Sequence, residues 1–291
     1  MSIEVIKDLR GLHSSIARHR NGPLNTAASL AIVPTMGAIV PTMGAIHEAH
    51  EALVIEAKRN ANIVLATIFV NPMQFGENED LDKYPKSELE DIKRLESAGC
   101  DIVYIPKNET MYPENFDLTI NVPELSSVLC GKDRKNHFQG VATVVAKLLL
   151  QSGADYAVFG EKDYQQLLII TSLVRDLDIP CHIVPINTVR DNDGLAISSR
   201  NQYLNSDQKK LANNINIIMK KAATNFYDAD IQKTLDLVRE NLEKVGIEKI
   251  DYIEIRDNNN LKNITNNDKS NARLFIAVYI DEVRLIDNIK L

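Results

Sequence analysis

The sequence predicts a doubly wound α/β domain built on a parallel sheet, followed by a smaller C-terminal α+β domain. The first observation is a set of short apolar runs between residues 29 and 186: IVLATIFV at 63–70, DIVYIP at 101–106, DYAVFG at 155–160 and CHIVPI at 181–186. Runs that are apolar on both faces of a strand belong to parallel sheets covered on both sides. The second is the amphipathic segments between them, 87–98, 141–152 and 162–177, which supply the crossover helices that parallel strands require. The third is a change of order after Arg200, where two polar helical segments, 206–225 and 229–244, precede DYIEIRD, ARLFIAVYI and VRLIDN. Helices grouped before strands indicate α+β, and a hinge within 186–200 gives domains 1–186 and 187–291.

Composition bounds the functions open to the chain. With 291 residues, 44% hydrophobic and 25% charged, it can bury an ordinary globular core. A formal charge of −7 gives no general attraction to nucleic acid or anionic lipid, so an anionic ligand needs a local cluster of donors. The N-terminus MSIEVIKDLR carries charges where a signal peptide needs an apolar stretch, and no apolar run approaches the ~18 residues of a membrane span. A cytoplasmic protein is expected, with neither a membrane nor a nucleic-acid partner. Cys100, Cys130 and Cys181 form no C-x-x-C pair and sit near no histidine cluster, which disfavours structural zinc or disulfides. Buried, inert thiols are expected. The polar stretch DNNNLKNITNNDKS reads as a loop without chemistry.

Four motifs carry candidate chemistry. In PTMGAIHEAH, Pro41 to His50, an apolar strand gives way to a helix on which Ile46, Ala49, Leu53 and Ala57 form a stripe, and His47 and His50 project from the first turn. A helix N-terminus with two imidazoles suits phosphate oxygens, although such a pair taken alone is more often a surface or core pair. In FGEKDYQQL, Gly160, Lys162 and Asp163 follow a strand: an open backbone, a cation and a carboxylate at a carboxyl end, where α/β sheets bind ligands. Taken alone, the motif reads better as a plain helix start with an acid in its first turn. DGLAISSRN, at the inferred hinge, offers Ser198 and Ser199 hydroxyls and the Arg200 fork to phosphate, or an N-cap before a helix. FVNPMQFG ends a strand with Asn71 and Gln74, neutral amides suited to an uncharged, hydroxyl-bearing substrate or, more commonly for Asn-Pro, to a turn.

Taken together and in this order, PTMGxxHxxH, FVNPMQFG, the Tyr84–Pro85 pair, HFQGV, GEKDYQQ, SSRN and the closing VRLIDN resemble the pantothenate synthetase (pantoate–β-alanine ligase) family across nearly the whole chain. The resemblance implies a Rossmann-like nucleotidyltransferase fold and an ATP-dependent ligase that makes pantothenate, on the path to coenzyme A, through a pantoyl adenylate. It implies that ATP binds at Met43, Gly44, Ala45, Ile46, His47, Glu48, Ala49 and His50, with His50 as proton donor and His47 beside the phosphates. It further implies a nucleotide site at Gly160, Glu161, Lys162 and Asp163, Val189 near the adenine, and Ile197, Ser198, Ser199 and Arg200 as the loop that closes on the phosphates. Gln74 and Gln166 match the amides that hold pantoate, with Asn71 a neighbour. Magnesium is expected to ride mainly on the nucleotide; Glu90 or Asp91 could assist it, but they read more readily as solvated helix acids. No protein metal site is expected, and a homodimer is implied.

Three departures from the family pattern stand out. IVPTMGA occurs twice, at 32–38 and 39–45, where the family has one copy. Either the second copy keeps the family position, with MGAIV as the strand and a glycine weakening it, or ASLAIV forms the strand and the second copy bulges. Ala49 replaces the family's glycine between the histidines, an added methyl that costs about 1 to 3 kcal/mol if it overpacks a nucleotide. RKNHFQG stands where RPGHFRG is common, losing a basic residue at Gln139. Two other readings compete: a related adenylyltransferase or cytidylyltransferase using a phosphorylated acceptor, and an impaired paralogue or altered chain that keeps the fold as a binding or structural protein. A phosphate-loop NTPase is disfavoured because no G-x-x-x-x-G-K-[ST] is present.

Overall fold

The computed structural model describes residues 3–20, 37–76, 81, 84–85, 87–226 and 230–291. The chain divides into two compact units, each discontinuous in sequence. The first comprises Met1–Val122, Arg134–Gly160 and Ile169–Ile186, and the second Pro123–Asp133, Glu161–Leu168 and Asn187–Leu291. This differs from two contiguous domains meeting at residue 186. Segments 123–133 and 161–168 group with the C-terminal part because buried amides tie them there: Gln165 bonds the carbonyls of Leu125 and Val128, and Asn288 those of Glu161 and Lys162.

The first unit is a parallel sheet of β1 (Glu4–Ile6), β2 (Gly37–Thr42), β3 (Ile63–Ile68), β4 (Ile102–Tyr104), β5 (Tyr156–Gly160) and β6 (His182–Ile186), in the order β1-β4-β3-β2-β5-β6. The apolar runs read from sequence supply β3 to β6; β1, three residues long in a charged segment, gives no such run, and α1 (Leu9–Arg20) follows it. Alternate residues of β2, β3 and β5, such as Ala38, Val40, Val64, Ala66 and Val158, meet Leu53, Val54 and Ala57 of α2 (Glu48–Asn60) and Leu95 of α3 (Glu88–Ser97) in one core. Helix α4 (His137–Ser152) packs against α1 and β2, and α5 (Tyr164–Asp176) follows β5.

Strand order reverses between β2 and β5. Such a switch point opens a ligand crevice beyond the carboxyl ends of the strands. Here β2 pairs with β3 along its whole length but with β5 only at Ala38 and Ile39. Pro41, lacking an N–H, cannot extend the second ladder.

The strand resolves the duplicated heptad. β2 takes Gly37 and Ala38 from the first copy and Ile39 to Thr42 from the second, so the second copy leads into α2 and its Met43 to Ala45 form the loop. The rest of the first copy and ASLAIV lie outside the described residues. Without the duplication, Leu30–Ala31 would precede IVPT where Gly37–Ala38 now stand. The insertion therefore keeps the alanine and changes only the residue at Gly37, where an added Cβ would meet nothing within 4 Å.

In the second unit, α6 (Ser206–Asn225) and α7 (Ile231–Lys244) pack on an antiparallel sheet of β7 (Ile250–Asp257), β8 (Ala272–Ile280) and β9 (Val283–Lys290), with β8 central. Ile215, Met219, Val238 and Leu242 meet Ile255, Leu274, Ile276 and Val278 in its core. Asn205 and Asp230 cap the two helices through bonds to backbone N–H groups of their first turns. Among the described residues no helix is long and apolar enough to cross a membrane.

Deleting Ile32–Ala38 should leave β2 intact and raise stability by about 0.5 to 1 kcal/mol, since leucine then replaces a strand glycine. Urea unfolding of the shortened chain checks this; a loss of stability would show that β2 depends on the first copy.

Candidate active site

The loop after β2 is built on a buried carboxylate. Gly44 and Ala45 both adopt positive φ, +90° and +50°, the second a conformation that costs a non-glycine residue about 1 kcal/mol or more. Asp91 of α3, 2% exposed, holds the turn by accepting the Ala45 N–H at 3.0 Å and the Ile46 N–H at 2.8 Å. Its expected role as a solvated helix acid is corrected: two backbone donors and Ser87 Oγ at 3.3 Å replace the water its burial removes. Thr42 Oγ1, bonded to the Thr67 carbonyl at 2.6 Å, also accepts the Gly44 N–H at 3.2 Å.

His47 then caps α2 and His50 is its third residue, with the two rings stacked at 4.0 Å between centroids. His50 Nδ1 accepts the His47 N–H at 3.4 Å, so a neutral His50 carries its proton on Nε2. Glu48 and Glu51, in the same turn, are tied to Arg94 of α3. A bond from its own backbone N–H, supplemented by Arg94, holds the Glu48 carboxyl below its ordinary range. Ala49 is half-exposed in this first turn, which alanine favours over glycine.

Beside this loop, Pro72–Gln74 form a short 3-10 turn. Asn71, 1% exposed, commits its whole amide to the protein: Nδ2 donates to Gln74 Oε1 at 3.0 Å and the Gly140 carbonyl at 3.1 Å, and Oδ1 accepts Met73 N–H and the Tyr112 hydroxyl. Burial pushes the Tyr112 phenol above its ordinary range, which keeps it a donor. Gln74 is drawn on its other side to Met43, with Nε2 3.0 Å from Sδ. His137, the first residue of α4, bonds the Gln74 carbonyl through Nδ1 at 2.7 Å and meets Arg134 through Nε2 at 3.0 Å. Gly140 explains the rest of HFQGV: a Cβ there would lie 2.3 Å from the Met73 carbonyl oxygen. Gln139 is half-exposed, and its carbonyl bonds Thr143.

In the second unit, Glu161–Asp163 form a 3-10 turn that leads into α5. A Cβ on the preceding Gly160 would meet nothing within 4 Å, so the backbone at the end of β5 is open. Lys162 Nζ lies 3.4 Å from the half-exposed Asp163 carboxylate. The adjacent glutamines differ: Gln165 is buried and fully bonded to Cys130, Leu125 and Val128 backbone, whereas Gln166 is half-exposed. Val189 and Ile197 face each other across a small hairpin, the Ile197 N–H bonding the Val189 carbonyl at 3.0 Å. Ser198 caps the next 3-10 turn, its Oγ accepting the Arg200 N–H at 3.3 Å, so Ser199 and Arg200 open that turn.

The structure thus joins Met43, Gln74 and Asn71 in the first unit, and Val189 with Ile197 and Ser198 with Arg200 in the second. Asp91 beneath Ala45 and Ile46, Tyr112, His137 and Gly140 around Asn71 and Gln74, and Asn288, itself bonded by Arg273, at the carbonyls of Glu161 and Lys162 are supports that no sequence motif assigns. All three cysteines are buried, and burial raises the thiols of Cys100 and Cys181 to about 12.

A family model described as pantoate-beta-alanine ligase matches residues 4–290. The chain belongs to the pantoate-beta-alanine ligase family. It is 45% identical to pantothenate synthetase of Ruegeria sp. (strain TM1040), over 98% of this chain and 96% of that one. It is 42% identical to the Anaplasma marginale pantothenate synthetase, over 99% and 100% of the two chains. Among solved structures it is similar to a Thermus thermophilus pantothenate synthetase (TM-score 0.89, 36% identity, 99% of each chain). It is also similar to a Francisella tularensis pantoate-beta-alanine ligase complexed with beta-gamma ATP and beta-alanine (TM-score 0.79, 33% identity, 99% of this chain and 97% of that one). Both match the parallel sheet and the smaller C-terminal domain of this family member.

Two measurements test the geometry of this ligase-family site. Gly140→Ala should destabilise the fold by about 1 to 3 kcal/mol through overpacking against the backbone of Met73 and Gln74, read by thermal or urea unfolding. Asp91→Ala should speed amide exchange at Ala45 and Ile46 by roughly ten- to a hundredfold, the equivalent of about 1 to 3 kcal/mol, whereas Asp91→Asn, which keeps one acceptor, should do less. Unchanged exchange in both variants would show that the turn does not lean on the carboxylate.

Proposed function

We propose that this chain is an ATP-dependent ligase that condenses pantoate with β-alanine to give pantothenate, AMP and pyrophosphate through a pantoyl adenylate. The observation that carries the reading is the contact of Gln74 with Met43, which sets an amide suited to a hydroxyl-bearing acid against the loop that introduces the two histidines. Membership of the family and the complex of the Francisella tularensis relative with beta-gamma ATP and beta-alanine support it.

In the first half-reaction a pantoate carboxylate oxygen attacks the α-phosphorus of ATP in line, and the bond to the bridging oxygen of pyrophosphate breaks. A carboxylate is ionised near neutral pH, so no base is required. What the chain supplies is placement and charge stabilisation. Met43, Gly44, Ala45, Ile46, His47, Glu48, Ala49 and His50 form the nucleotide loop and helix start, with His50 donating from Nε2. Gly160, Glu161, Lys162, Asp163 and Val189 hold nucleotide, and Ile197, Ser198, Ser199 and Arg200 close on its phosphates. Gln74 and Gln166 hold pantoate. Asn71, whose amide is spent on the protein, positions Gln74. In the second half-reaction the β-alanine amine attacks the anhydride carbonyl, loses its proton, and AMP leaves with the C–O bond electrons.

Magnesium enters as the nucleotide's own ion. Asp91, which holds the loop, has both oxygens occupied by backbone N–H groups, which fits an ion held by phosphate and water rather than by this carboxylate. The protein is further read as cytoplasmic, homodimeric and part of the supply of coenzyme A.

Neutral Gln74 and Gln166 speak against an adenylyltransferase or cytidylyltransferase acting on a phosphorylated acceptor, which needs cations around that acceptor. The impaired-paralogue reading draws on the repeat and Ala49. Purified protein should release pyrophosphate from ATP only with pantoate, and AMP at a sustained rate only with β-alanine. Lys162→Ala should lower turnover by about a hundredfold or more. Release of neither product would overturn the reading, and activity appearing only after deletion of Ile32–Ala38 would establish the repeat as inhibitory.

A further inference from the structure

The closing VRLIDN run contains two residues that the proposed chemistry does not use. Asp287 and Asn288 on β9 are 6% and 4% exposed, and both are polar. Buried polar side chains need partners, and the identity of those partners shows what the pair does.

Asn288 gives its two amide protons to consecutive carbonyls, Glu161 and Lys162, each at 2.9 Å. Its Oδ1 accepts from Arg273 Nη1, so donors and acceptor are each matched and the amide has one orientation. Arg273 is itself fixed: its Nε bonds Asn258 Oδ1 at 2.6 Å and its guanidinium carbon lies 3.6 Å from the centroid of the Tyr164 ring. The two clamped carbonyls flank the Cα of Lys162, so the base of that side chain is held from both sides.

Asp287 pairs with both terminal nitrogens of Arg190, at 2.6 and 2.9 Å. Arg190 bridges to Ala196 at the foot of the hairpin and donates to the Gly194 carbonyl at its turn. Three residues beyond the hairpin's Ile197 is Arg200, with Ser198 and Ser199 between.

We propose that Asp287 and Asn288 are positioning residues for the ligase reaction. Asn288 sets Lys162, Asp287 sets the Ser198–Arg200 loop, and one strand thereby registers both phosphate-binding segments. The proposal rests on the roles given above to Lys162 and Arg200.

The test measures pantoate-dependent pyrophosphate formation in a double-mutant cycle. Asn288→Ala should lower kcat by about ten- to a hundredfold, the scale of a 1 Å misplacement, leave the KM for β-alanine unchanged, and have no further effect in a Lys162→Ala background. Asn288→Asp keeps the side-chain volume and a partner for Arg273 but turns an acceptor towards two carbonyls; it should show the same loss, and decides the matter if Asn288→Ala does not fold. Asp287→Asn should be non-additive with Arg200→Ala and additive with Lys162→Ala. Wild-type turnover in folded Asn288→Asp, or an equal loss with and without Lys162, would overturn the proposal by making Asn288 merely structural. Full activity of Lys162→Ala would instead overturn the role of Lys162 itself, an outcome separable from failure at Asn288.

Discussion

The bonds from Ala45 and Ile46 to the Asp91 carboxylate are the constraint on which the first unit's site depends. They hold Gly44 and Ala45 at positive φ, which turns the chain sharply from β2 into α2. Without that turn His47 would not cap the helix, and Met43 would not face Gln74. A strained turn persists only where its surroundings over-determine it, and a buried carboxylate deprived of its donors would be costly in its own right. Each therefore stabilises the other.

Much of the fold was legible because its signals are local. Strands buried on both faces are apolar runs whatever their partners, so β3 to β6 stand out, and the helices between them show their stripe. β1 was not legible, since three residues at a sheet edge carry no period. The duplicated heptad left two registers open because IVPTMGA reads the same in either copy. Only pairing with β3 and β5 distinguishes them, and the alanine shared by Leu30–Ala31 and Gly37–Ala38 explains why the strand tolerates the insertion.

The motifs of the candidate site stand out in the sequence, and the residues that support them do not. Asp91 sits in ELEDIKRLES, where the alternation of acids and bases is that of a solvated helix, and the donors that bury it lie 45 and 46 residues away. The asparagine-rich stretch that reads as a loop without chemistry contains Asn258, a partner of Arg273. Gln165 and Gln166 are chemically identical and adjacent, and their division of labour comes from the helix face each occupies, one towards Leu125 and Val128 and one half-exposed.

The supports nevertheless follow a rule of matched valence. Where a loop presents N–H groups, the holder is a carboxylate, which accepts only: Asp91 beneath Ala45 and Ile46. Where a turn presents carbonyls, the holder is an amide with two protons to give: Asn288 beside Glu161 and Lys162, and Gln165 beside Leu125 and Val128. Exchanging acid for amide at these places preserves shape and sets donor against donor or acceptor against acceptor in at least one bond of each pair. A reaction whose nucleophile arrives already ionised leaves the protein chiefly with placement, so the residues that fix the loops bear on rate as directly as those that touch the nucleotide.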